Sequence, residues 1–92
     1  MIENFYKKHS CQNIYSYKSR YKAICDEKIV IINNQFSIDF DKNIYIEYKN
    51  IKSKNLNEKQ IEVETNNFHE TLYFKENSHS EEFYKELEKK LR

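Results

Sequence analysis

The residues of this chain best suited to chemistry are His9, Cys11, Cys25, His69 and His79, and their spacing assigns them none. A zinc site needs pairs such as C-x2-C or H-x3-H to bring ligands onto one ion, and only His9 and Cys11 are close in sequence, two apart. No motif around either cysteine would make it a nucleophile. In a reducing compartment these two cysteines form no disulfide framework, so Cys25 is expected as a free thiol packed in the core. Asp39 with Asp41, and Glu62 with Glu64, stand at strand spacing and read as solvated faces, because paired catalytic acids need a shared pocket. The chain has no glycine, which removes Gly-rich phosphate loops and dinucleotide turns. The expectation is a protein that is not an enzyme, with no catalytic residues, no metal and no cofactor.

The chemistry that does have a pattern is electrostatic. Residues 1–22 carry Lys7, Lys8, Lys18, Arg20 and Lys22 against the single Glu3, whereas the remaining 70 residues are net acidic in a chain of net charge +1. If residues 14–25 form one strand, Lys18, Arg20 and Lys22 share a face at intervals of about 6.7 Å. Such a stripe fits phosphates or a row of carboxylates, and Arg20 can grip either bidentately. The same alternation puts Tyr15, Tyr17 and Tyr21 on the opposite face. That separation counts against a nucleic-acid platform, which wants rings and positive charge together. Exposed tyrosines favour a protein interface.

Strands must position these side chains. Alternation of period two runs through residues 14–25, 36–40, 44–48, 61–65 and 68–75, and Ile29-Val30-Ile31-Ile32 is a fully apolar β-branched run. Residues 49–59 are polar around Ile51 and Leu56 and read as a strand end plus a loop. With no glycine or proline, turns fall to Asn33-Asn34-Gln35, Asp41-Lys42-Asn43 and Asn66-Asn67. Asn34→Gly or Asn67→Gly should stabilise if either asparagine holds positive φ. Residues 1–12 are ambiguous: Ile2, Phe5 and Tyr6 are spaced to share one face of a short helix, and residues 1–13 read as such a helix or as an extension. Phe83, Leu87 and Leu91 recur at i, i+4, i+8 and define an amphipathic helix over 79–91, with Ser78 and Glu81 spaced as a capping box and Ser80 as a competing cap. Glu81 to Lys85, Glu86 to Lys90 and Glu88 to Arg92 are spaced as i, i+4 ion pairs. The expected fold is α+β and mainly β: an antiparallel sandwich or partly open barrel of about six to seven strands closed by one C-terminal helix. It forms a single domain over 1–92, with an N-terminal extension at 1–13, strands over 14–75 and the helix at 79–91.

Three segments carry a family resemblance. Cys25-Asp26-Glu27-Lys28 followed by Ile29–Ile32 resembles the "T-D-x-R-hydrophobic" strand of GRAM-like and bacterial pleckstrin-homology-like domains. Ile44–Ile51 resembles their next strand, residues 61–74 their paired strands, and the closing helix has the matching F-x-x-x-L-x-x-x-L pattern. The resemblance covers residues 14–92. It departs at Cys25, where threonine is usual, and in lacking the glycine that often follows the second hairpin. It implies a seven-strand bent sandwich that binds phosphoinositides, peptides or proteins and is not itself catalytic. The expected function is therefore a protein–protein binding module, with Lys18, Arg20, Lys22, Tyr17 and Tyr21 as contact residues. A small phage or mobile-element inhibitor that docks on a larger bacterial host or defence complex is one form of it. The alternative is a binder of anionic ligands, a phosphoinositide surface or nucleic acid, through the basic face. Unprotected strand edges also admit a homodimer. Residues 1–8 lack the apolar stretch of a signal peptide, and no run is long enough to span a membrane, so the expected location is cytoplasmic.

Overall fold

Local alternation becomes two antiparallel sheets and a helix in the computed structural model, which describes residues 6–8, 10–18, 20–32 and 43–92. The first sheet has the order β1 (Gln12–Tyr17), β2 (Arg20–Ile24), β3 (Lys28–Ile32) and β4 (Ile44–Glu47). A 3-10 turn, Tyr48–Asn50, leads to the second sheet of β5 (Ile51–Asn57), β6 (Gln60–Thr65) and β7 (His69–Tyr73). Helix α1 (Asn77–Lys90) follows. Residues 6–8 are helical. The expected strand at 36–40 and the turns at Asn33-Asn34-Gln35 and Asp41-Lys42 lie outside the described residues.

The expected single strand over 14–25 is in fact a hairpin. Lys18 takes a left-handed φ of 56°, and the chain reverses so that Tyr17 lies opposite Arg20 and Tyr15 opposite Lys22. A reversal of this kind changes parity: odd residues of β1 share a face with even residues of β2. Tyr15, Tyr17, Arg20, Lys22 and Ile24 therefore point to one side. Of the three tyrosines expected opposite the basic stripe, only Tyr21 lies there.

Ile29, Ile31 and Ile46 extend that first side and meet Ile61, Val63 and Leu72 of the second sheet and Phe83 and Leu87 of α1, forming the main core. The other side is also covered. Ala23, Cys25, Val30 and Ile32 pack around Tyr6, which is fully buried and donates its hydroxyl proton to the Val30 carbonyl at 3.2 Å. An apolar run buried on both faces explains why Ile29–Ile32 lacks alternation. Cys25 is buried as expected, but it is not free: it forms a disulfide with Cys11, tying the N-terminal segment to the sheet.

Residues 51–57 form a full strand rather than a loop. Their polar residues mislead because β5, among the described residues, is a sheet edge paired with β6 alone, and Lys54 turns inward to meet α1 instead of an apolar neighbour. The helix begins at Glu76 as N-cap with no side-chain cap, so the Ser78–Glu81 capping box does not form. Ser80 is buried and donates to the carbonyls of Asn77 and Glu58, locking the β5–β6 turn to the helix start. Among the described residues the helix charges pair as Lys89–Glu86, Lys54–Glu88 and Lys90–Asp26, in place of the expected i, i+4 set.

Candidate functional site

The basic residues of β2 meet β7. The Thr65 N–H bonds to Phe68 and the Phe74 N–H to Lys59, so the inward-bonded positions of β7 alternate, leaving the backbone groups of His69, Thr71 and Tyr73 directed away from β6. Among the described residues β7 has no strand on that side. Arg20 and Lys22 fill the vacancy with side chains. The Arg20 guanidinium pairs with Glu70 and donates to the Thr71 carbonyl, and the Lys22 ammonium donates to the Tyr73 carbonyl. Lys22 is only 1% exposed and also lies 4.7 Å from the Phe74 ring centroid. Burial, with the Arg20 charge nearby, lowers its pKa to about 8. Arg20 and Lys22 are thus inter-sheet fasteners rather than a solvent-facing stripe.

Fastening β2 to β7 sets two tyrosines side by side. Tyr17 and Tyr73, 37% and 48% exposed, have ring centroids 6.4 Å apart. They line a shallow groove of about 300 Å³ with Gln60, Lys59 and Lys75. Lys18, at the hairpin tip, places its ammonium 5.5 Å from the Tyr17 centroid. None of Lys18, Lys59 and Lys75 has a carboxylate partner among the described residues. The result is a patch of two exposed rings framed by three lysines without an ion-pair partner among the described residues, with Glu58 also lining the groove, on a base held by ion pairing and burial. Such a patch offers ring faces for contact and positive charge to an acidic surface.

Of the expected contact residues, the structure brings together Tyr17 and Lys18 in the patch, and Arg20 and Lys22 beneath it. Tyr21 lies on the opposite face of the sheet against the Tyr6 cluster. Tyr73, Lys59 and Lys75 escaped the sequence reading. The available signal was Tyr73 itself, an aromatic on the polar side of the His69-Thr71-Tyr73 alternation. Among the described residues no group of three or more His, Cys, Asp or Glu side chains could hold a metal ion, and no helix is long and apolar enough to cross a membrane. No protein-family model, no curated protein and no solved structure matches the chain.

Proposed function

We propose that this is a pleckstrin-homology-like binding module that docks on another protein through the Tyr17–Tyr73 patch. The single observation that carries this reading is the exposed, rigidly based tyrosine pair with Lys18, Lys59 and Lys75 around it. The order of four strands, three strands and a C-terminal helix supports the fold part. Tyrosine beside a net-positive rim, three lysines against Glu58, suits an interface centre, and the partner it fits presents an acidic, partly apolar surface. An inhibitor would act by occluding that acidic surface. Capture from the native host's lysate tests the reading when wild type is compared with Tyr17→Ala/Tyr73→Ala and with Lys18→Glu/Lys59→Glu/Lys75→Glu. Each variant should lose a partner that wild type enriches, with melting temperature preserved. Equal capture by all three proteins overturns it.

A second reading, an anionic-ligand binder, gains from the same patch, because rings and lysines now share a surface. Glu58 within the groove and Glu62 and Glu64 farther along β6 oppose a long polyanion on this face. Binding of a mixed-sequence oligonucleotide or of anionic vesicles that weakens steeply with salt would favour this second reading over the first.

A further inference from the structure

We propose that β1 is a pairing edge for a second copy of this chain, joining two four-stranded sheets antiparallel through the backbones of Ile14 and Ser16. Among the described residues four strands end the two sheets, and three are guarded. The β7 edge is filled by Arg20 and Lys22. β5 has a register shift between Ile51 and Ser53, an exposed Lys52 and an inward Lys54 held by Tyr84 and Glu88. β4 is four residues long, ends on the exposed Glu47 and runs straight into the 3-10 turn. Short length, charge, irregularity and covering groups are the usual defences of an edge.

β1 has the fewest of them. It is six residues, Gln-Asn-Ile-Tyr-Ser-Tyr, without charge or proline, and among the described residues it pairs on one side only. The Cys25 N–H bonds to the Lys28 carbonyl, so Ala23 and Tyr21 bond toward β3 while Lys22 and Arg20 bond toward β1. Tyr15 and Tyr17 answer them, which leaves the N–H and C=O of Ser16, and by alternation those of Ile14, facing outward. The register shift in β1 falls between Gln12 and Tyr15 and takes in Ile14, its one irregularity, whereas the stretch Tyr15–Tyr17 is regular. That stretch is held in place from inside. The Tyr15 ring packs edge-on to Phe74 and Phe83, and its hydroxyl donates to Glu82 at 2.9 Å.

The absence of charge is what selects a second copy. Antiparallel self-pairing centred on Tyr15 sets Ile14 opposite the second copy's Ser16, and no like charges oppose each other within the ladder. Lys18 of each copy falls at opposite ends of the seam. Ile14, 39% exposed, becomes covered beside the two-fold axis.

Sedimentation equilibrium of the full chain, from about 10 µM to about 1 mM, spans the range where a short ladder of individually modest hydrogen bonds populates a dimer. The mass should rise from 11.4 kDa toward twice that value. Ile14→Lys, at an exposed position, should weaken association at least about tenfold with unchanged melting, since it sets like charges near the axis. Ser16→Pro should do the same, because it removes only the outward N–H. In wild type the Ile14 and Ser16 amides should exchange hydrogen more slowly as concentration rises, a readout that needs no variant. Tyr73→Ala, in β7 and outside the seam, should leave association unchanged, separating this edge from the docking patch. A monomer across the whole range, a dimer that Ile14→Lys leaves intact, or exchange independent of concentration overturns the proposal.

Discussion

Lys22 shows what a buried cation does to the pH profile. Its pKa is about 8 in the fold against 10.5 for an ordinary lysine, so between those values the unfolded chain holds a proton that the folded chain has released. Stability from this group therefore rises with pH across that window. Tyr15 has the opposite sign. Burial, reinforced by its bond to Glu82, raises it from 10.0 to about 12, so above pH 10 the folded chain keeps a proton that the unfolded chain sheds, and stability falls. Melting temperature should thus climb between pH 8 and 10 and drop beyond, and Lys22→Met should flatten the climb while leaving the drop. Backbone conformation gives a second prediction. The left-handed residues among those described are Ser10, Lys18 and Glu58, and Asn66 and Asn67 are not left-handed. The expected benefit of glycine thus moves from Asn67 to Glu58, the first residue of the two-residue β5–β6 turn. Glu58→Gly should stabilise by about 1 kcal/mol, read as a rise of roughly 4–8 °C in melting temperature. A fall would show that the Glu58 side chain outweighs its backbone strain.

At the level of elements, Tyr6 and Cys11 come from the stretch least secure by sequence, and the structure ties both to the first sheet. Tyr6 packs against Ala23, Val30 and Ile32, and Cys11 is bridged to Cys25. A bridge between residues 14 apart removes loop entropy worth roughly 3 kcal/mol from the unfolded chain. Reduction with a dithiol should lower the melting temperature, Cys11→Ser should reproduce the reduced value without added reductant, and alkylation followed by mass spectrometry should find no free thiol before reduction. Free thiols in the untreated protein would refute the bridge. This segment also marks where the sequence was readable. The helix, the apolar run Ile29–Ile32 and strands β4, β6 and β7 were legible because each satisfies its own periodicity locally. The β1–β2 hairpin was not, since its turn is a lysine in a left-handed conformation within an unbroken alternation. β5 was hidden because Lys54 occupies an inward position, and the bridge because Cys11 and Cys25 stand 14 residues apart and only the fold brings them together. The site was half legible: the basic residues stood out, but their inward direction depended on a parity change that the hidden turn introduced.

Across the whole molecule, the first sheet is covered on both faces, by the second sheet and α1 on one and by the N-terminal segment on the other. The join between the sheets at β2 and β7 is made by side chains. Glu70→Gln leaves the half-buried Arg20 without its carboxylate and should cost about 1–2 kcal/mol, less than loss of a fully buried pair and more than loss of a surface one. That join also has a place in time. The ladders β1–β2, β2–β3, β5–β6 and β6–β7 connect strands adjacent in sequence, whereas Arg20 reaches Glu70 across 50 residues and Lys22 reaches Tyr73 across 51. Contacts closing such long loops form after local ones, because chain entropy must be surrendered first. The hairpins should therefore assemble early and the fastening of Arg20 and Lys22 late. Stopped-flow kinetics of Glu70→Gln should show nearly unchanged refolding and faster unfolding. The residues that seat the tyrosine pair would then govern how long the folded molecule persists rather than how quickly it is made.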